Sequence, residues 1–293
     1  MKPLRPISIA YTPDSDDAFY YDALETGKVS MSGCIPSFSR QPMSVLNRAA
    51  IQGVFDVTAI SSVLYPKIAK TYAILSVGTS VGRGYGPVLV SKKELTLEDL
   101  RGRRVGVPGI PTTGWFLLRC LCPEAVPVEM AFDQIAGSVV AGNLEAGVMI
   151  HEELLYYPQM GLRQIVDLGS EWCQRNDLPL PVGLNVVRRS IGPAAMQRVC
   201  ATIRQSLEFG LAHSGETLGH VSRFGRGIDG KCTEQFVRMF ANQDSVRMPE
   251  DVRAALRVLF CQVADLGLSS TVPPIDIIEG LPTVQSSQQT AVH

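Results

Sequence analysis

Gly82-Arg83-Gly84-Tyr85-Gly86-Pro87, running into the apolar stretch Val88-Leu89-Val90-Ser91, is the passage that decides the fold. Three glycines in five residues, then a proline, interrupt a regular alternation of strand and helix patterns and read as a flexible connection. Upstream of it, the residues predict a strand at 7–11, a helix at 14–24 stopped by Gly27, and a helix at 44–52 with Ser44 as N-cap and Gly53 as terminator. A strand at 54–60, a helix at 62–71 in spite of Pro66, and a strand at 72–77 complete that unit. Downstream the alternation resumes with strands at 88–91, 104–107, 126–131 and 146–150, separated by helices at 97–100, 112–121 and 133–141. A second passage rich in proline and glycine, 178–183, leads into a strand at 184–188.

Strands that alternate with helices imply crossover connections and mainly parallel sheets. Two such units joined twice, near 82–90 and 180–188, make a two-crossover hinge, an arrangement suited to shutting around a ligand. The expected architecture is therefore α/β, with two lobes and a ligand cleft between them. One lobe comprises 1–86 plus 187–272 and the other 87–186. Beyond the second connection the pattern turns helical, at 193–212, 217–224, 233–240 and 249–266, with Pro193 and Pro249 at first-turn positions. The tail, 273–293, is rich in Pro, Ser, Gln and Thr and is expected to be poorly ordered.

Composition narrows the function. The 293 residues are 45% hydrophobic and 19% charged, with a formal net charge of −1, which fits a globular protein with material for a core. No basic tract or aromatic–basic interleaving suggests a nucleic-acid partner. The N-terminus lacks a secretory apolar region, and no run approaches a membrane span of about 18 apolar residues. A cytoplasmic protein with a small-molecule partner is expected. The seven cysteines are odd in number, and Cys120 and Cys122 form a C-x-C pair without a second pair or a nearby histidine. Free buried thiols are expected, with neither metal nor disulfide.

Candidate chemistry sits where predicted strands end. His151 follows the strand at 146–150 and precedes Glu152 and Glu153. An imidazole at a strand's carboxyl end can exchange protons at neutral pH, although a capping histidine would look the same. Thr112 and Thr113 open a helix after Pro108-Gly109-Ile110-Pro111, where unpaired N–H groups could seat a carboxylate or a sugar hydroxyl. Capping alone needs one hydroxyl. Ser61 and Ser62 follow another strand. Arg83, in the glycine-rich passage, could grip a carboxylate with two hydrogen bonds or stand in solvent. Thr12-Pro13-Asp14-Ser15-Asp16-Asp17 opens a helix. Its acids read as ordinary dipole partners that would repel an anion, and their spacing is not that of a calcium loop.

Four stretches in this order carry a resemblance: YTPDSDDAFYYDAL from Tyr11; DVTAISSVLYP from Asp56, then GTSVGRGYGP; VPGIPTTGWFLLR from Val107; and MAFDQIAGSVVAGNLEAGVMIHEELLYY from Met130, then DLG and LPLPVG. They resemble the 1,4-dihydroxy-6-naphthoate synthase family of the futalosine route to menaquinone. That resemblance implies a periplasmic-binding-protein type II fold. It also implies a carbon–carbon lyase that converts cyclic dehypoxanthinyl futalosine into 1,4-dihydroxy-6-naphthoate without a cofactor. It places the base on His151, and substrate contacts on Ser61, Thr112 and Thr113. Asp17, retained from the family's first loop, Arg83 and Glu152 complete the expected set around a small anionic molecule, in a monomer or homodimer. The chain departs from the family pattern SPCPND at Thr12–Asp17, from DVTK at Ala59, and after the threonine pair at Gly114-Trp115. Trp115 is expected to narrow the pocket. A small-molecule (carboxylate) binding protein, or a related enzyme with another ligand, is the alternative.

Overall fold

The computed structural model describes residues 5–224 and 230–280. The strands are β1 (Arg5–Tyr11), β2 (Cys34–Arg40), β3 (Val57–Ser61), β4 (Tyr72–Leu75), β5 (Ser80–Gly82), β6 (Val88–Ser91), β7 (Arg104–Val107), β8 (Val126–Glu129), β9 (Ala146–Met149), β10 (Arg163–Asp167), β11 (Leu180–Arg188) and β12 (Ile277–Ile278). The helices are α1 (Ser15–Glu25), α2 (Met43–Ile51), α3 (Tyr65–Ile68), α4 (Thr113–Leu121), α5 (Phe132–Val140), α6 (Glu153–Tyr156), α7 (Leu168–Asn176), α8 (Pro193–Ala212), α9 (Ser214–Val221), α10 (Gly230–Phe240), α11 (Gln243–Val246) and α12 (Glu250–Asp265).

Two sheets form, one per lobe. The first runs β12-β4-β11-β3-β1-β2 with β5 beside β11, and the second runs β10-β6-β9-β7-β8. Both are mixed, not mainly parallel: β11 is antiparallel to β3, β4 and β5, and β6 is antiparallel to β9 and β10. The reason is topological. A strand that enters a lobe from the hinge has not come through a helical crossover, so nothing forces it parallel.

Sequence reading misplaced the second connection. Residues 180–188 belong wholly to the first sheet, with Leu180 opposite Gly82 and Gly183 opposite Ser61. The chain therefore returns through α7 and the three residues after it. Sequence reading also found no element at β2, β10 or α7, whose burial is partial and patchy.

Two of the three glycines of the first connection serve close packing; Gly84 faces open space with φ +80°. A Cβ on Gly82 would lie 2.0 Å from the Tyr85 carbonyl oxygen, and one on Gly86 would lie 2.9 Å from Gly169 Cα. The two connections touch backbone to backbone. The tail, expected to be poorly ordered, is partly tied down: Ile277 and Ile278 pair with Ile74 and Leu75 of β4, while 281–293 lies outside the described residues.

The first lobe's core gathers Ile7, Ile9 and Tyr11 of β1 with Phe19 and Tyr20 of α1 and Val199 and Ile203 of α8. α12 lies across both lobes. Val252, Leu256 and Phe260 join a cluster with β3, β4 and β11, while Ala255, Leu259 and Val263 join one with Val105, Phe116 and Trp172 of the second lobe. Trp172 Nε1 donates to Gln262 Oε1 of α12 at 2.8 Å. Among the described residues no helix is long and apolar enough to cross a membrane. The cysteines are free, but Cys120 and Cys261 are exposed, contrary to the expectation of buried thiols.

Candidate active site

The residues at the carboxyl ends of β1, β3, β7 and β9 meet in one cavity between the lobes, lined by Thr12, Ser61, Pro108, Ile150 and His151. This is where an α/β sheet presents its loops to a ligand. Phe236 and Phe240 of α10 line it as well. α10 is held over the cavity by Tyr20, whose hydroxyl donates to the Phe240 carbonyl at 2.7 Å, and by Tyr85, whose hydroxyl donates to the Met239 carbonyl at 2.6 Å.

His151 is the most constrained residue in the wall. Its backbone is left-handed, φ 57°, a conformation that costs a non-glycine residue about 1–3 kcal/mol and persists where the surroundings impose it. Its Nδ1 lies 3.0 Å from Oδ2 of Asp14, which is fully buried and belongs to the other lobe. Its ring meets Phe132 edge-on, with centroids 4.7 Å apart. A carboxyl beside Nδ1 favours the tautomer with the proton there and leaves Nε2 as the basic nitrogen.

The lobes touch at further points. Ser15 sends both its hydroxyl (2.5 Å) and its N–H (3.3 Å) to Glu152 Oε1. Asn47 of α2 donates to the Pro111 carbonyl at 2.8 Å and to Ser61 Oγ at 3.1 Å. The conformation is thus a closed one.

Of the expected contacts, Asp17, Ser61, Thr112, Thr113 and His151 share the cavity. Asp17 Oδ2 accepts from the N–H (2.9 Å) and hydroxyl (2.7 Å) of Thr12. Burial nevertheless pushes its carboxyl up to about 6. The Ser61 N–H donates to Asn47 Oδ1 at 3.0 Å, while its hydroxyl accepts from Asn47 and donates to no acceptor among the described residues, so the hydroxyl proton is available to a ligand. The threonine hydroxyls are already committed. Thr112 Oγ1 donates to the Gly109 carbonyl and accepts the Trp115 N–H, and Thr113 Oγ1 donates to the Val182 carbonyl. What α4 offers the cavity is its backbone: the N–H groups of Thr113 and Gly114 take no acceptor among the described residues, as expected of a first helical turn.

Other residues that the sequence singles out do not line the cavity. Arg83 does not reach the cavity. Its guanidinium takes Asp244 through two hydrogen bonds (2.6 and 2.9 Å) and Asp251 through two more (2.8 and 3.3 Å), beside the hinge. Arg83→Ala is accordingly expected to leave ligand affinity unchanged and to cost at most about 1 kcal/mol in a denaturant melt, because the cluster is half exposed. A binding loss larger than the stability loss would return Arg83 to the site. Glu152 is fully buried behind the wall and holds Ser15 in place of a ligand. Trp115 packs in the second lobe's core and does not narrow the cavity, and Ala59 sits in the first lobe's core. Ser62 is likewise buried away from the cavity.

Sequence reasoning missed Asp14 as a partner of His151 and missed Phe236 and Phe240. Asp14 carried the same signal as His151, a position just beyond a strand's carboxyl end. The phenylalanines stand four residues apart on a helix whose other face carries Glu234, Gln235 and Arg238.

A family model described as "Menaquinone biosynthesis" matches residues 7–265. The chain is 32% identical over 270 residues to a 1,4-dihydroxy-6-naphthoate synthase of Thermus thermophilus, covering 92% of this chain and 98% of that one. It is 30% identical over 274 residues to the enzyme of the same name from Streptomyces coelicolor, covering 92% and 96%. A crystal structure of an Archaeoglobus fulgidus protein superposes with a TM-score of 0.86 at 37% identity, over 90% of this chain and 98% of that one. The alkanesulfonate-binding protein of Xanthomonas axonopodis, at 12% identity and a TM-score of 0.69 over 95% and 98%, shares the periplasmic-binding-protein-like fold.

Proposed function

The chain belongs to the menaquinone biosynthesis family, and from that membership we propose that it is the lyase that converts cyclic dehypoxanthinyl futalosine into 1,4-dihydroxy-6-naphthoate, with His151 as general base. The observation that carries the reading is His151 itself, a strained imidazole in the cavity wall whose Nδ1 is held by a buried carboxyl from the opposite lobe. Its Nε2 accepts a proton from a carbon of the bound molecule, and Asp14 stabilises the imidazolium that results. Among the described residues the cavity wall carries no lysine or arginine, so the substrate's anionic group is received by neutral donors, the Ser61 hydroxyl and the Thr113 and Gly114 amides. Closure excludes water while the charge develops.

Incubating the purified protein with cyclic dehypoxanthinyl futalosine is expected to yield the naphthoate, read by mass spectrometry. Thermal stabilisation by that molecule without product would point instead to a binding protein on this fold. Asp14 borders His151 but not the cavity. Asp14→Ala is therefore expected to lower kcat by about 100-fold with little change in KM. A variant in which KM rises and kcat holds would assign Asp14 to substrate binding.

A further inference from the structure

Four buried carboxyls crowd one end of the cleft: Asp14, Asp16, Asp17 and Glu152. Their partners divide unevenly. Asp14 lies against His151, Asp17 accepts twice from Thr12, and Glu152 accepts twice from Ser15. Asp16 has only the backbone N–H of Asp17 and no hydrogen bond from any other side chain among the described residues. It is 7% exposed and lines the cavity. Tyr20, another titratable neighbour, spends its hydroxyl on the Phe240 carbonyl. Several like charges within a few ångströms in a low dielectric cannot all persist, and the proton goes to the member with the least support for its charge. By that count it goes to Asp16. Burial, followed by the charges of Asp17, Asp14 and Glu152, raises its carboxyl well above the usual range.

We propose that the Asp16 carboxyl is a hydrogen-bond donor to a carbonyl or carboxylate oxygen of the bound molecule, supplied by the lobe opposite His151. When His151 withdraws a proton from carbon, negative charge gathers on that oxygen and the hydrogen bond from Asp16 strengthens. The proton stays on Asp16 throughout. The surroundings suit the role, since the Thr112 and Thr113 hydroxyls have already given their protons to carbonyls. The proposal rests on the proposed lyase reading for its substrate, and on the carboxyl cluster alone for its protonation.

The test uses the full chain as wild type, Asp16→Asn and Asp16→Ala. An infrared band of a neutral carboxyl is expected in the wild type at pH 7, absent from Asp16→Asn, and moved when 1,4-dihydroxy-6-naphthoate is added as a probe. With cyclic dehypoxanthinyl futalosine, Asp16→Ala is expected to lose about 100-fold in kcat/KM. Asp16→Asn, whose amide also donates, recovers most of that loss and lacks the alkaline decline of the wild type. The absence of the band, a band unmoved by saturating naphthoate, or an asparagine variant as poor as the alanine variant overturns the proposal. A wild type inert toward the futalosine derivative, with the band present and responsive, overturns the substrate reading and leaves the donor in place.

Discussion

Replacing His151 with alanine is expected to cut turnover of cyclic dehypoxanthinyl futalosine by about a thousandfold, within the range for loss of a positioned general base. Substrate affinity should change far less, because the Ser61 hydroxyl and the amides of α4 remain. A second substitution separates chemistry from folding. The backbone at 151 is left-handed, which alanine tolerates no better than histidine but glycine adopts freely. His151→Gly should be as inactive as His151→Ala yet melt at a higher temperature, by the equivalent of about 1 kcal/mol. Steady-state kinetics and thermal melts of the two variants read both effects. Turnover that survives in either one removes His151 as the base.

The second large effect falls at the hinge. A Cβ on Gly169 would stand 2.5 Å from Gly86 Cα, 2.6 Å from Gly86 N and 2.6 Å from the Tyr85 carbonyl oxygen. All three are backbone atoms and cannot rotate aside. Gly169→Ala must push the two connections apart, at a cost of about 3 kcal/mol or more. Gly137 provides the contrast. It lies inside α5, and a Cβ there would meet no atom within 4 Å, so the same exchange should stabilise by about 0.5–1 kcal/mol. Denaturant midpoints of the two variants should move in opposite directions. A Gly169→Ala protein with an unshifted midpoint would mean that the connections have room to part.

The pattern of strands and helices was legible because it depends on local sequence. Strands β6 and β7 and helix α8 fall at the expected residues. The strands carry continuous buried runs, the buried face of α8 recurs at helical spacing, and prolines or glycines mark their ends. What depends on the meeting of distant segments was not legible. Gly86 looked like looseness because the residue that packs against it, Gly169, stands far along the chain. Asp14 read as a helix-dipole acid and an obstacle to an anion. Its actual neighbour, His151, is 137 positions away and in the other lobe. Arg83 was drawn toward the cleft by its place in the connection, but Asp244 and Asp251 compete for it and win on geometry, with a planar fork answered on two sides. In the site, residue types at strand ends could be named in advance. Which hydroxyls were already spent could not.

The helix that lies across both lobes has a consequence for how the chain is made. The second lobe is an insertion and leaves the ribosome early, yet its core includes Ala255, Leu259 and Val263 of α12. Translation must pass residue 263 before that core can close. Until then apolar residues such as Phe116 and Val105 lack part of their cover, a state prone to association with other nascent chains. A stop codon before residue 250 would therefore unravel the lobe whose own codons were all intact.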